Sequence, residues 1–374
     1  MSIILSKEAR ILAALAAALA VVAGCGDETE PDVTESAPEP PGPAVISSYS
    51  GPGSNWSTEL REDGSFAIAR SPLAGAAADL SVSGTYTETA QGFLSMSIDA
   101  SSGEDAPVRG NRIWAVEIPN YSMVLGPVST SDDRFVAMVG GGVCPDTDIS
   151  GNWINVRASL SSDALSAEGS YFGAFTYAIS DNGTTLDSQF SLASGNPDQG
   201  TYDLGNGFCR GGIINSPSSD IYLATSGGST AHVDAAADDG GMMILALPRT
   251  TLGAIDDLDG SYAGMLSDSA GQPGARVFPV VVNCTGGLCS GDYVTDVETG
   301  ATAGESFTVD LSGSLNVPGP GLVTGEFRAG GSSGNLGCMA DPGMLAGGER
   351  MISCAGQSLT RGYALMNLVL TSND

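Results

Sequence analysis

Lysine is almost missing from this chain. Lys7 is the only one, so every later cation is an arginine. Beyond residue 7 there is therefore no Schiff-base amine, no lysine general base and no lysine phosphate clamp. Histidine is as scarce: His232 stands alone, which excludes a metal centre of three or four imidazoles within one chain. His232 would have to be the base of any histidine-dependent mechanism; as a solitary histidine on a β-strand it is read as a surface or satisfied residue. Positive charge as a whole is short, with 14 Lys and Arg against 43 Asp and Glu and a formal net charge of −29. Nucleic acid and anionic lipid surfaces are poor partners for such a chain. The dense carboxylates suit a protein kept soluble in salt, and the sharper alternative is an acidic face for cationic ligands.

What is present begins with an export signal over residues 1–24. Lys7 and Arg10 give a positive start, Ile11 to Val22 is an apolar run too short for a permanent span, and small residues close it. The closing Val22-Ala23-Gly24-Cys25 resembles the lipobox of bacterial lipoproteins. That resemblance implies cleavage before Cys25 and a diacylglycerol on its thiol, completed by N-acylation with a chain such as palmitate. It also implies that Gly26, as second mature residue, favours sorting to the outer membrane. The partner called for at this end is thus the membrane, reached through lipid. Residues 25–45 follow as an acidic, proline-rich tether that cannot bury enough surface to fold. In polyproline geometry it reaches up to roughly 60 Å.

Six cysteines remain: Cys144, Cys209, Cys284, Cys289, Cys338 and Cys354. An even number in an exported chain reads as disulfides. Proximity favours Cys284 with Cys289 and Cys338 with Cys354, and elimination leaves Cys144 with Cys209. A zinc site is the rival reading, opposed by the lack of any CxxC pair and the single histidine.

From residue 46 the pattern is all-β. Alternating runs such as Ser65-Phe66-Ala67-Ile68-Ala69-Arg70 and Thr308-Val309-Asp310-Leu311-Ser312 are separated by turn formers. Asp63-Gly64, Asn182-Gly183 and Asn206-Gly207 supply the positive φ that two-residue hairpins demand. With 52 glycines and no long helical periodicity after the signal, two or three antiparallel barrel or sandwich modules are expected. Residues 46–250 form an N-terminal β region. Within it Gly84-Thr85-Tyr86 and Gly200-Thr201-Tyr202 open similar stretches, compatible with two repeated modules, 46–143 and 146–250, or with ordinary hairpins. Residues 251–374 hold eight candidate strands, at 261–267, 276–283, 288–297, 305–315, 321–329, 335–340, 349–355 and 361–371, which suit a barrel or sandwich closed by Tyr363 to Leu370. Gly151-Asn152-Trp153 is similar to the G-x-W that opens the first strand of lipocalins. It covers three residues, so no ligand cavity follows from it and Trp153 is read as core.

Chemistry is thinly signalled. Gly330-Gly331-Ser332-Ser333-Gly334 has the letters of a nucleophile elbow, but its flanks are glycine-rich loop and the only histidine lies upstream. Carboxylates are so abundant that a close pair marks no site. Asp146 and Asp148 begin like a calcium loop but place Arg157 where its closing glutamate belongs, and Asp256, Asp257 and Asp259 place Leu266 there. Both stretches are read as turns, with weak calcium binding as the alternative. Trp56 and Trp114 are core residues or stacking platforms for sugars. No catalytic residue and no cofactor is assigned. The sequence reads as a lipid-anchored envelope protein that binds an unknown envelope, glycan or protein partner. The alternatives are a two-carboxylate carbohydrate hydrolase and a structural spacer.

Overall fold

A computed structural model describes residues 42–50, 56–71, 77–126, 136–140, 149–157, 171–178, 184–191, 197–203, 209–210, 213–215, 220–226, 229–235, 242–248, 250–268, 276–317, 319–343, 348–358 and 364–372. Between 149 and 249 it describes the backbone alone. Cys25, Cys144, Asp146 and Asp148, and the turns at Asn182-Gly183 and Asn206-Gly207, lie outside the described residues, as do the side chains of Cys209, His232 and Trp153.

Every strand pair among the described residues is antiparallel. The first eight strands are β1 (Val45–Ser50), β2 (Trp56–Arg61), β3 (Ser65–Arg70), β4 (Leu80–Glu88), β5 (Leu94–Ser102), β6 (Arg112–Ile118), β7 (Ser122–Gly126) and β8 (Val136–Gly140). They run as a meander that closes into a barrel where β1 meets β8, through Tyr49 opposite Gly140 and Ser50 opposite Val139. The pattern that makes β3 a strand also fills this barrel: Phe66 and Ile68 point in and are 1% exposed, while their neighbours are half-buried. Its entry turn depends on Gly64, at φ +77°, with the Ser65 N–H donating to Asp63 Oδ1 at 2.9 Å.

A second set follows: β9 (Ile149–Arg157), β10 (Tyr171–Ala178), β11 (Thr184–Ser191), β12 (Pro197–Asp203), β13 (Cys209–Arg210), β14 (Ile213–Asn215), β15 (Asp220–Ser226), β16 (Ser229–Ala235) and β17 (Met242–Pro248). These form a nine-stranded sheet in the order β12-β11-β10-β9-β17-β16-β15-β14-β13.

After a single 3-10 turn at Ile255–Leu258 come β18 (Gly260–Asp268), β19 (Arg276–Thr285), β20 (Leu288–Asp296), β21 (Ala301–Asp310), β22 (Leu322–Ala329), β23 (Ser332–Asp341), β24 (Met351–Ser358) and β25 (Ala364–Ser372). They close a second complete barrel, with β25 paired to β18 from Met366 to Ser372. Cys284 and Cys289 stand opposite one another on β19 and β20 and are joined by a disulfide. Cys338 and Cys354 do the same on β23 and β24. A cross-link spanning 16 residues restricts the unfolded chain by about 3 kcal/mol in the chain-entropy account, and one spanning 5 by about 2.

The two complete barrels touch. β6 lies against β18 and β25, where Val116 and Ile118 are 2% and 1% exposed and Ala263 and Met265 are 1% and 0%. At the rim of this contact Arg112 forms an ion pair with Glu298, whose carboxylate also accepts the Ser95 hydroxyl at 3.4 Å. Among the described residues no helix is long and apolar enough to cross a membrane.

Candidate functional site

Both complete barrels are filled. Tyr49, Phe66, Met96 and Met123 occupy the first, and Tyr262, Val280, Phe307 and Leu336 the second, all between 0% and 1% exposed. One end of the second is plugged by the 3-10 turn with Leu252, Leu258 and Leu311. Tyr262 donates its hydroxyl to the Leu258 carbonyl at 2.7 Å, and burial pushes that hydroxyl up to about 12. The Arg350 guanidinium covers the plug, donating to the Asp259 carbonyl and lying 5.8 Å from the Tyr262 ring centre.

This plug accounts for the acidic turn. Asp257 Oδ2 accepts the Gly253 and Ala254 N–H groups at 2.7 and 3.0 Å, and Asp259 Oδ1 accepts the Gly286 N–H at 2.7 Å. Asp256 is exposed beside them. Among the described residues no three His, Cys, Asp or Glu side chains gather as metal ligands would.

The opposite end is less tightly covered. β21 runs on past the end of β22: its ladder with β22 starts at Phe307 opposite Ala329, and Ala301 to Ser306 are all exposed. An open cavity of about 470 Å³ sits in this step, lined by Ser306, Phe307, Thr308, Glu326, Arg328 and the Gly330-Gly331 turn. Below it runs a row of rings, Phe278, Tyr293, Phe307 and Phe327, with centroids 5.4, 5.3 and 5.4 Å apart. Arg328 bonds Glu326 at 2.6 Å and holds its carboxyl below the usual range, and the Ser312 hydroxyl and N–H do the same for Asp310, directly opposite Glu326. The step is an open surface of polar and charged side chains over an aromatic floor.

A third feature lies inside the first barrel. Tyr49 on β1 donates its hydroxyl to Glu117 on β6 and accepts the Asn120 N–H at 3.1 Å, so one side chain ties the closing strand to β6 and its turn. Burial pushes Glu117 up, more than the Tyr49 and Ser47 hydroxyls lower it. Burial and then the Glu117 charge push Tyr49 far above the usual phenol range.

At neutral pH the folded state thus holds a carboxylate that the unfolded chain hydrates better. As pH falls through the raised value, the folded group takes its proton before the unfolded one does, and stability rises. Below the ordinary carboxylate range both forms are protonated and the gain levels off. Glu117→Gln keeps an oxygen for the Tyr49 hydroxyl and removes the charge. We expect it to melt higher than the parent at neutral pH, by roughly 1 kcal/mol, with the difference shrinking on acidification. Parallel melting curves at all pH values would refute this account.

The other sequence candidates are dispersed. Ser332 opens β23 after a Gly330-Gly331 hairpin turn, with a strand and not a helix behind it. His232 is on β16, opposite Leu223 and Ala246. Trp56 is half-buried under Arg70, 5.8 Å from its ring centre, with Arg70 doubly bonded to Asp79 at 3.1 Å. Trp114 is half-buried on β6, and Trp153 lies on β9 opposite Gly173 and Ala246. Sequence reading passed over Glu117, although it shares strand parity with Ile113 and Ala115, which line the core.

No protein-family model and no curated protein sequence matches the chain. Among solved structures it is similar to a mutant of transferrin-binding protein B from Haemophilus parasuis, at 10% identity and TM-score 0.27, covering 84% of this chain and 64% of that one. Isotype 1 transferrin-binding protein B from serogroup B Neisseria meningitidis is similar at 8% identity and TM-score 0.27, covering 85% and 65%. A DUF3598-family protein of unknown function from Nostoc punctiforme is similar at 11% identity and TM-score 0.22, covering 60% and 94%. The chain thus spans less than two thirds of the length of the first two. At these scores the likeness bears on neither ligand nor partner.

Proposed function

We propose that this is a lipid-anchored binding protein of the bacterial envelope, which takes its partner on the outside of its β modules. The observation that carries this reading is the packing of the two complete barrels: their interiors are occupied by the protein's own side chains, so they are not containers for a ligand. Outward-facing features remain, including the step at the end of β22. The lipobox-like Val22-Ala23-Gly24-Cys25 and the tether after it support attachment to a membrane with room to reach a partner.

The reading is tested with the full-length protein in detergent, carrying a C-terminal tag and incubated with solubilised envelope. We expect one envelope protein or glycan to be retained in stoichiometric amount. Retention no greater than on an equally acidic control protein would overturn it.

A further inference from the structure

The step at the end of β22 is built from positions that are polar or carry almost no side chain. Phe307 and Val309 point into the second barrel, so alternation turns Ser306, Thr308 and Asp310 outward. Register then sets Thr308, Arg328 and Ser333 in one row across β21, β22 and β23, with Asp310, Glu326 and Asn335 in the next. Neighbours in such a row stand about 5 Å apart. The space beside them has a cause. The Phe307 ring leans over Gly291 of β20, where a Cβ would lie 2.2 Å from it, and the residue facing it on β22 is only Ala329. The Gly330-Gly331 turn follows, and a Cβ at either glycine would meet nothing within 4 Å. The resulting cavity of about 470 Å³ falls within the roughly 300–1,000 Å³ of small-ligand sites.

The lining narrows what can bind. Arg328 donates to Glu326 at 2.6 Å, so a donor and an acceptor are held side by side, and their side chains stay 59% and 36% exposed. The opposite charges of this pair offset one another. Around it Asp292, which faces Ser306, and Glu305 and Asp310 set a negative field, in a chain of net charge −29. That field repels an anionic ligand, and a cation meets Arg328 in the middle of the row. A neutral group whose hydroxyls both give and take hydrogen bonds satisfies the ion pair together with the hydroxyls of Ser306, Thr308 and Ser333. Phe307 and Ala329 offer an apolar side to its carbon face.

We propose that this step binds a neutral sugar residue at the end of an envelope glycan, the open side of the cavity leaving room for the rest of the chain. This rests on the reading of the protein as a binding module and names the place and the ligand class.

The test is saturation-transfer NMR on the full-length protein in a zwitterionic, sugar-free detergent. The probes are the methyl glycosides of glucose, galactose and mannose, a neutral trisaccharide ending in each, and methyl glucuronide. We expect saturation of at least one neutral sugar and none of the glucuronide. Thr308→Trp, which fills the cavity, and Arg328→Gln should each weaken that binding on the order of tenfold. Arg61→Gln, which breaks a like pair with Glu59 on the first barrel, should leave it unchanged. A trisaccharide held more tightly than its glycoside supports a glycan chain as the source, whereas equal binding overturns the chain in favour of a free sugar. No saturation of any neutral sugar, equal saturation of the glucuronide, or binding indifferent to both step variants would overturn the proposal. If an envelope partner is still captured under any of those outcomes, the binding-protein reading survives and the sugar site does not. If neither partner nor sugar binds, both fall.

Discussion

Gly84→Val should disable the first barrel while leaving the second folded. Gly84 is buried on β4, and a Cβ there would lie 1.9 Å from the Ser97 carbonyl oxygen and 3.0 Å from the Asp99 nitrogen. Both obstacles are backbone, so no rotamer change relieves them. The register explains the closeness: Ser83 stands opposite Ala100 but Gly84 opposite Ile98, so Asp99 is an extra residue that bulges β5 towards β4. In a closed barrel β5 cannot retreat without opening a neighbouring ladder. Overpacking against fixed backbone, with hydrogen bonds lost beside it, is expected to cost about 3 kcal/mol or more, a large part of a domain's stability. Hydrogen exchange on the intact protein reads this directly. Amides of residues 45–140 should lose protection while those of 260–372 keep it. Unchanged protection in the first barrel would show that the bulge can relax.

The other large effect concerns Cys25. Cys25→Ala should abolish incorporation of labelled palmitate and leave residues 1–24 attached, both visible in the mass of the purified chain. The physical basis is that one acyl chain holds a protein to a bilayer only marginally, whereas several make attachment effectively permanent. Envelope anchoring in this reading hangs on one thiol. Equal labelling and equal processing of the variant would place the anchor elsewhere or remove it.

The sequence disclosed the fold where side chains alternate. Phe66 and Ile68, or Phe307 and Val309, show the period of two that a half-buried strand requires, and the structure buries them on one face. It disclosed less where burial is absent. β21 begins at Ala301, before its first apolar pair, because Ala301, Thr302 and Ser306 pair with Asp296, Val294 and Asp292 of β20 across two register shifts, while all six residues from 301 to 306 are exposed. The strand expected to run on to residue 315 stops at Asp310, whose carboxylate accepts the Ser312 N–H and turns the chain. Glu117 was illegible for a different reason: an acid in an apolar strand marks a lumen only once the closing strand carrying Tyr49 is known to cross it. Nor did turn chemistry reveal the strand order of the nine-stranded sheet. Asn206-Gly207 favours a hairpin between its flanking strands, yet among the described residues β13 is paired with β14 and no ladder joins it to β12.

First-to-last pairing has a consequence for how such a chain arose and can change. β1 is bonded to β8, β9 to β17 and β18 to β25, so the chain enters and leaves each module at adjacent positions. A gene segment encoding one module can be copied, lost or exchanged with its end points already side by side, and the flanking modules need not be stretched to meet. Recombination then acts on whole cassettes, and relatives of this chain differing in length by one barrel are the variation it would produce.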